Sequence, residues 1–314
     1  MDPEKHLFIE NHIKGGVSMI CRRYAKANNQ YTEDGLDSTR PTSFIGYLDA
    51  NNLYGYAMSQ PLPTGNFRFL TEHEIKHLDI LNVPDDHPTG YILEVDLEYP
   101  HELHELHNDY PLAVEKVLIT KEMLSPYAQS FPGRHVLSEK LVPNLNDKTK
   151  YVTHYVNLKL YTRLGMRLKR IHHILEFNQC PWIKPYIDFH TDKRRQATTN
   201  FERDFYKLMN NSVFGKTMEN LRNRMNVTLV NDVKKFKKLY AQPTLQQVEI
   251  INPELVMVHR LRPKIHQNRP IYTGYSILEI SKAHMYRFHY DVMLAKYGLR
   301  CRLLFTDTDI FVIA

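Results

Sequence analysis

Two carboxylates lie one residue apart in the segment LLFTDTDIFVIA (303–314). The apolar residues on either side have the pattern of two strands, so Thr-Asp-Thr-Asp predicts the tip of a β-hairpin. Asp307 and Asp309 would repel each other at that tip unless they shared a proton or held a cation between them. The alternative is a solvated turn, because Asp is a common turn residue. A metal site would need a further carboxylate elsewhere in the chain.

A candidate for that carboxylate is Asp49, in the segment SFIGYLDANNLYGYAM (43–58). The pattern predicts a strand, a turn and the start of a helix, which the following QPLPTG (60–65) is expected to end. Asp49 would lie at the end of the strand. The turn would expose the N–H groups of Asn52, Leu53 and Tyr54, which can hold phosphate oxygens.

A row of cationic and amide side chains is predicted on a helix that begins near Thr191 or Asp192 and continues past Lys207. Its spacing places Phe201, Phe205 and Leu208 on a separate face, which we expect to be core. The polar row suits an extended anion such as a triphosphate, or is a solvated face. Its members are Lys193, Asn200, Arg203, Lys207 and Asn211.

The chain before this row is predicted to contain another basic helix. Between 151 and 176, Leu and Ile residues recur at helical spacing with arginines between them. The next segment, CPWIKPYIDF (180–189), contains two prolines and is expected to be extended.

Charge is distributed unevenly along the sequence. The net charge is +6, but residues 72–122 contain 13 acidic and 3 basic side chains, whereas residues 148–240 contain 20 basic and 7 acidic ones. This division suggests a polyanion held along one surface, or merely basic solvated faces.

Composition limits the class of protein. At 314 residues and 42% hydrophobic content the chain can form two or three subdomains. Cys21, Cys180 and Cys301 have no paired spacing, which argues against a disulfide framework or a thiolate zinc site. No signal segment and no spanning apolar run is evident, so we expect a soluble intracellular protein with no membrane partner.

The segment around Asp49 resembles motif A of family B DNA polymerases, D-x-x-S-L-Y-P. Asp49, Leu53 and Tyr54 match that pattern, whereas Asn52 replaces its Ser and Gly55 replaces its Pro.

Motifs B and C of the same family follow in the same order. Motif B is K-x-x-x-N-S-x-Y-G and motif C is Y-G-D-T-D-S. Lys207, Asn211, Ser212, Phe214 and Gly215 match motif B, with Phe for Tyr, and Asp307, Thr308 and Asp309 match motif C, with Ile310 for its last Ser. The wider phrases LDANNLYGYAMSQPLP, WIKPYIDF and FYKLMNNSVFGKTMEN look like the protein-primed branch, above all the polymerases of Polinton (Maverick) transposons and related viruses.

The resemblance implies a metal site for nucleotidyl transfer with two Mg²⁺ ions, which Mn²⁺ can replace. Asp49 and Asp309 would be the ligands, and the Ala50 carbonyl would complete the shell of the second ion. Asp307 would lie nearer the primer end and contribute less directly.

The resemblance also implies how the substrates are held. Lys207, with Arg194 or Arg195, would neutralise the triphosphate. Tyr54 would pack under the deoxyribose, where a 2′-hydroxyl would clash. The nascent base pair would be lined by Asn211, Phe214 and Gly215. The implied partners are a DNA primer-template, a dNTP and a terminal priming protein, in the nucleus or at a viral or transposon replication site.

The implied fold is α+β: a right-hand polymerase palm on an antiparallel sheet, with helical fingers. The expected regions are a pre-palm segment (1–40), palm with motif A (41–65), an insertion and palm region (66–150), fingers with motif B (151–221), and palm and insertion with motif C (222–314). KGGVS (14–18) resembles the Y-x-G-G motif that joins exonuclease to polymerase, with Ile13 in the place of Tyr. The expectation is a fragment without exonuclease and thumb.

Other functions remain as alternatives. The chain could be an inactive, polymerase-derived nucleic-acid-binding remnant. A reverse transcriptase is disfavoured because its hairpin normally carries adjacent aspartates. Asp96 and Glu98 have the spacing of a proofreading exonuclease but follow motif A instead of preceding it. HELHELH (101–107) fails as a zinc motif, because Glu105 occupies the second His position.

Overall fold

A computed structural model describes residues 1–131 and 138–314, which mix helices with antiparallel strands. The strands are β1 (Ser18–Ile20), β2 (Gly46–Asp49), β3 (Leu62–Phe69), β4 (Thr89–Glu98), β5 (Glu115–Ile119), β6 (Ser138–Val142), β7 (Lys148–His154), β8 (Arg167–Cys180), β9 (Met225–Val230), β10 (Leu245–Asn252), β11 (Leu255–Leu261), β12 (Leu303–Asp307) and β13 (Ile310–Ile313). The helices are α1 (Pro3–Asn11), α2 (Leu53–Met58), α3 (Glu72–His77), α4 (His104–His107), α5 (Pro126–Gln129), α6 (Tyr155–Arg163), α7 (Lys184–Gln196), α8 (Asn200–Thr217), α9 (Val233–Tyr240), α10 (Ile271–Arg287) and α11 (Ala295–Tyr297). They form two units, Met1–Phe214 with Ile271–Ala314, and Gly215–Pro270.

The predicted acidic hairpin is β12 and β13, and it forms the middle of a four-stranded sheet in the order β1-β12-β13-β2, here called the acidic sheet. Alternate residues of a strand point to opposite faces. Phe311 faces the core and is buried, whereas its neighbour Val312 pairs with the exposed Tyr47 on the other face. The predicted strand, turn and helix around Asp49 are also confirmed, as β2 and α2.

A second four-stranded sheet has the order β3-β8-β4-β7 and is here called the large sheet. Its strand β4 carries the acidic residues Glu94, Asp96 and Glu98. The predicted helix over 151–176 is wrong: this region forms β7, the short helix α6 and β8. Gly165, at φ +106°, follows the end of α6 in a conformation that only glycine adopts readily. The helical part of the predicted fingers region (151–221) is therefore α6, α7, α8 and a short 3₁₀ turn, Leu221–Asn223.

Ion pairs join the basic segment to its neighbouring strand in the large sheet. β8 lies directly beside the acidic β4. Glu98 contacts Arg167 at 3.1 Å and Lys169 at 2.5 Å, and Asp96 lies 2.8 Å from His172. Opposite charges on neighbouring strands stabilise their pairing. Part of the uneven charge of the sequence is thus neutralised inside one sheet.

The helices after β8 differ from the prediction in two ways. The segment 180–189 is not extended throughout, because α7 begins at Lys184 with proline in its first turn, a position that needs no N–H donor. The single helix predicted past Lys207 is two helices, α7 and α8. Glu202 accepts hydrogen bonds from the N–H groups of Thr198 and Thr199, which starts a new helix.

The buried face of α8 is not the predicted one. Phe201, Phe205 and Leu208 are exposed. The helix packs instead through Val213 and Phe214, which contact a cluster that includes Met58, Ile187 and Ile277. The hydrophobic pattern predicts the wrong face of α8, because the face that packs includes a buried polar residue, Asn210.

Helix α10 is buried on nearly all sides and continues as a π-helical segment, Phe288–Leu294. It packs against α1, α2, α6, β3 and β7. Neither α10 nor any other helix in the described ranges is both long and apolar enough to cross a membrane.

Three charged side chains are buried together, two of them on α10 and one, Lys14, from the segment before β1. Glu279 lies 3.1 Å from the Lys282 ammonium and accepts a 2.8 Å hydrogen bond from the Asn157 amide. Lys14 donates to the Val152 carbonyl at 2.6 Å. Burial alone would raise the pKa of Glu279, but the charges of Lys282 and Lys14 lower it, whereas burial lowers the pKa of Lys14 to about 8.

The second unit, Gly215–Pro270, has its own small core. β10, β11 and β9 form an antiparallel sheet in that order, and α9 packs on one face through Leu239 against Val230 and Val258. Asp232 caps α9 by accepting from the Lys235 N–H. The KKFKK run of the sequence is this helix, with its four lysines exposed.

We expect Glu279→Gln to lower the free energy of unfolding by about 3–5 kcal/mol, because it leaves the buried Lys14 and Lys282 without a counter-charge. Denaturant unfolding measures this change. The matched control is Asp188→Asn, which breaks an exposed pair with Lys184 and should cost less than about 1 kcal/mol. Equal effects of the two variants would contradict the role given to the buried cluster.

Three buried histidines should make the fold sensitive to acid. Burial lowers the pKa of His107, His154 and His289 to about 4, from 6.5. The unfolded chain therefore binds more protons between about pH 6.5 and 4, so the free energy of unfolding must fall as the pH falls through this window. His154→Phe should reduce that slope by about one proton, and His73→Gln, on the surface of α3, should not; unfolding at stepped pH measures both.

Candidate active site

The tip of the acidic hairpin is a strained two-residue loop, Thr308–Asp309. Thr308 has φ +56°, which is rare for a β-branched residue and costs on the order of 1–2 kcal/mol. The Asp309 N–H donates to the Asp307 carbonyl at 2.7 Å, which closes the turn tightly. Strain of this kind persists only where the surrounding structure holds it, and it is concentrated at functional sites.

Strand register places Asp49 and Asp307 on the same face of the acidic sheet. Ile310 of β13 pairs with Asp307 on one side and with Asp49 on the other. Their Cα atoms are therefore about 10 Å apart, two strand spacings. Asp309 lies at the loop above them, and its carbonyl accepts from the Ala50 N–H at 2.8 Å. The structure thus brings all three predicted acids to one end of the sheet.

The electrostatics of this end favour a cation. Partial burial raises the pKa of Asp309, the charges of Asp49 and Asp307 raise it further, and Lys207 opposes them. A divalent ion would relieve this repulsion, and carboxylate oxygens are the ligands that Mg²⁺ and Mn²⁺ prefer. Across residues 1–131 and 138–314, no group of three or more His, Cys, Asp or Glu side chains could hold a metal ion. The assignment of Asp49, Asp309 and the Ala50 carbonyl as metal ligands therefore stays a prediction.

Motifs A and B meet at an aromatic contact. Tyr54, in the first turn of α2, stacks on Phe214 of α8 with ring centroids 4.4 Å apart. Burial raises the pKa of Tyr54, and the charge of Asp309 adds to that effect, so the phenol lies within electrostatic reach of the acids. Leu53 is buried in the core, which leaves only its backbone to face a substrate.

The two departures from motif A are neighbours in space. Asn52 is in the left-handed conformation at φ 62°, and its side chain covers Gly55. A Cβ at Gly55 would lie 2.0 Å from Asn52 Nδ2. The sequence alone presents these two differences as independent, whereas the structure shows that the Asn52 side chain occupies the space beside Gly55.

A polar cleft of about 660 Å³ lies between α2, α7 and α8. Asn52, Arg194, Arg195 and Asn210 contribute to its walls. Asn210 is 2% exposed, and within the described part of the chain its side-chain oxygen has no hydrogen-bond partner. Sequence reasoning missed Asn210; the signal was a polar residue in the stripe that includes Val213 and Phe214.

The remaining predicted residues lie on α8. Lys207 is exposed and close enough to Asp309 to lower its pKa, and Asn211 is exposed one turn further on. Gly215 is in the last turn of the helix, at the start of the second unit. The structure therefore brings Lys207 near the acids and Phe214 against Tyr54. Arg194 and Arg195 line the neighbouring cleft.

Solved structures with a similar fold include those of phi29 DNA polymerase. The orthorhombic crystal form matches with a TM-score of 0.54 at 13% identity, and it is covered over 44% of its length by the whole of this chain. The ternary complex with primer-template DNA and incoming nucleotide matches at 0.55 and 15%, with the same coverage. The complex with single-stranded DNA matches at 0.52 and 15%, with 43% covered. These matches confirm the α+β polymerase fold, and the chain spans less than half of the proteins that it matches.

Sequence comparison adds the family. No curated protein matches the chain. The profile of the family described as DNA polymerase type B, organellar and viral, matches residues 39–292, which include motifs A and B and most of the chain. The narrower likeness to Polinton polymerases stays a prediction. With the profile match over these residues and the polymerase fold around the three acids, the chain belongs to the organellar and viral family of type B DNA polymerases.

Proposed function

We propose that the chain carries out template-directed DNA synthesis as the polymerase region of a protein-primed family B enzyme. The observation that supports this most directly is the grouping of Asp49, Asp307 and Lys207 within electrostatic reach of Asp309. A primer-template and a dNTP are the proposed substrates, by analogy with the phi29 polymerase solved with both. A terminal priming protein and a transposon or viral setting are further parts of the proposal.

Asp49 and Asp309 would hold two Mg²⁺ ions, or Mn²⁺, which when bound activate the primer hydroxyl and stabilise the pyrophosphate. Asp49 pairs with Ile310 of β13, and the Ala50 N–H donates to the Asp309 carbonyl at 2.8 Å, so backbone hydrogen bonds fix the two residues that carry these carboxylates. Asp307, on the far side of Ile310, would face the primer end.

Cationic side chains would balance the charge of the triphosphate. Lys207 is the proposed contact nearest the acids, because its charge already acts on Asp309. Arg194 and Arg195 line the cleft beside Asn52 and would guide the nucleotide phosphates. Arg195 is paired with Asp192 at 3.0 Å and would have to exchange that partner on binding.

Tyr54 would act as the sugar selector. Its ring is fixed by the stack on Phe214, so it cannot move aside without breaking that contact. Asn211, Phe214 and Gly215 would line the nascent base pair. A rigid ring under C2′ of the sugar would exclude a 2′-hydroxyl by steric contact.

An inactive nucleic-acid-binding remnant is the alternative proposal. It is favoured by the separation of Asp49 and Asp307 by a full strand, and by the lack of a three-carboxylate group in the ranges that the structure describes. DNA binding without metal-dependent synthesis would support it.

Asp49→Asn and Asp309→Asn should each reduce primer extension by the purified protein at least about a thousandfold, because each removes a charged metal ligand. Affinity for primer-template, measured by fluorescence anisotropy, should change less than about threefold. Asp86→Asn, at an exposed acid of the loop before β4, is the matched control and should extend at the parental rate. Parental extension by either active-site variant would exclude the metal assignment.

Tyr54→Val should admit ribonucleotides, because it removes the ring proposed to occupy the space of the 2′-hydroxyl. The measurement is the ratio of kcat/KM for dNTP and rNTP, which should fall by about a hundredfold or more, that is about 2.7 kcal/mol of discrimination. Tyr56→Val, two residues along and exposed on the same helix, should leave the ratio unchanged. An unchanged ratio in Tyr54→Val would remove Tyr54 from this role.

A further inference from the structure

Thr308, the strained residue at the tip of the β12–β13 hairpin, is held by a residue outside the hairpin. The Thr308 N–H donates to the Val17 carbonyl at 2.8 Å. Ser18 then pairs with Asp307, so β1 continues the contact along β12. The conformation of the loop therefore depends on the segment that precedes β1.

A glycine contact restricts Thr308 on the same side. A Cβ at Gly16 would lie 2.2 Å from Thr308 Oγ1 and 2.8 Å from its Cγ2. Real Cβ atoms do not approach so closely, so Gly16 is needed for Thr308 to keep its place. Gly15, by contrast, has nothing within 4 Å of the position of its own Cβ.

The segment 14–17 is itself anchored in the core. The Lys282 ammonium donates to the carbonyls of Lys14 at 2.9 Å and Gly15 at 3.4 Å. Lys282 is 4% exposed and is held by Glu279. Lys14 lies over the Tyr151 ring, with its ammonium 4.1 Å from the ring centroid. The segment is thus held by two buried side chains, Lys14 and Lys282.

Thr308 and the Tyr54 ring line the same narrow cleft. Its walls include Gly16, Tyr54, Lys282 and Thr308. A displacement of segment 14–17 would therefore be transmitted to the residue directly before Asp309. Catalytic groups misplaced by about 1 Å can lose on the order of a hundredfold in rate.

We propose that residues 14–17, here called the Gly16 strap, fix Thr308 in its left-handed conformation and so set the position of Asp309. Gly16 and Lys282 are positioning residues: neither reacts, and both act through the loop. The catalytic part of this inference rests on the proposed function, whereas the support of the loop does not.

The test compares Gly16→Ala with the matched control Gly15→Ala in the purified protein. Gly16→Ala should speed hydrogen exchange of the Thr308 amide at least tenfold and lower kcat for primer extension about a hundredfold. It should raise the Mn²⁺ concentration for half-maximal extension at least tenfold and leave the KM for dNTP within about twofold. Gly15→Ala should change none of these quantities.

A second substitution separates positioning from simple loss of structure. Thr308→Gly in the Gly16→Ala protein removes the atoms that clash and accepts a positive φ, so it should restore kcat to within about tenfold of the parent. If Gly16→Ala does not fold, Thr308→Gly alone serves, because it removes the clamped side chain without adding bulk. It should speed exchange of the residue 308 amide at least tenfold and raise the Mn²⁺ requirement.

The outcomes distinguish the two proposals. Parental exchange at residue 308 in both Gly16→Ala and Thr308→Gly would overturn the strap, whatever the enzyme does. Faster exchange with parental kcat and Mn²⁺ dependence would overturn the positioning role. Faster exchange in a protein whose parent shows no metal-dependent extension would support the strap and count against the proposed function instead.

Discussion

Repulsion among Asp49, Asp307 and Asp309 is the constraint around which this fold is organised. The backbone, not the side chains, overcomes it: two strand pairings and the hydrogen bond from Ala50 to Asp309 fix the acids at one end of a sheet. These bonds are made in a core that buries Phe311 completely. The pKa of Asp309 stays raised, because burial and the nearby acids disfavour its charged form, and a bound cation would relieve the repulsion.

Strand pairing also neutralises part of the uneven charge of the chain. The acidic and basic halves of the sequence meet within the large sheet, where Glu98 pairs with Arg167 and Lys169. The cationic side chains that remain exposed on helices include Lys207 on α8 and the lysines of α9. A charge count along the sequence overstates the binding surface, because strand pairing neutralises part of it.

Sequence reasoning succeeded where the signal was local. The acidic hairpin and the strand before Asp49 follow from apolar runs broken by turn residues, and three short motifs in order indicated the family that the profile match confirms. It failed where long-range pairing decided the structure. Residues 167–176 have Leu and Ile at helical spacing, yet they form a strand that pairs with β4, far away in the chain, and buries Ile174 and Leu175.

The site could be predicted only in part for a related reason. Lys207 and Tyr54 were found because motifs name them, and their catalytic roles are still predictions. The contact of Gly16 with Thr308, the hydrogen bond from Lys282 to Lys14 and the contact of Asn52 with Gly55 were missed, because each involves a neighbour that only the fold supplies. The exposed Phe201 and Phe205 show the same limit, since the packed face of α8 includes a buried Asn210.

The strand order of the acidic sheet has a consequence for synthesis of the protein. β1 and β2 are made early, but they are not neighbours: β12 and β13 lie between them. While the ribosome is still translating the intervening residues, both early strands lack their partners and Asp49 has no companion acid. The three acids can therefore come together only after β12 and β13 have been made and have paired between β1 and β2.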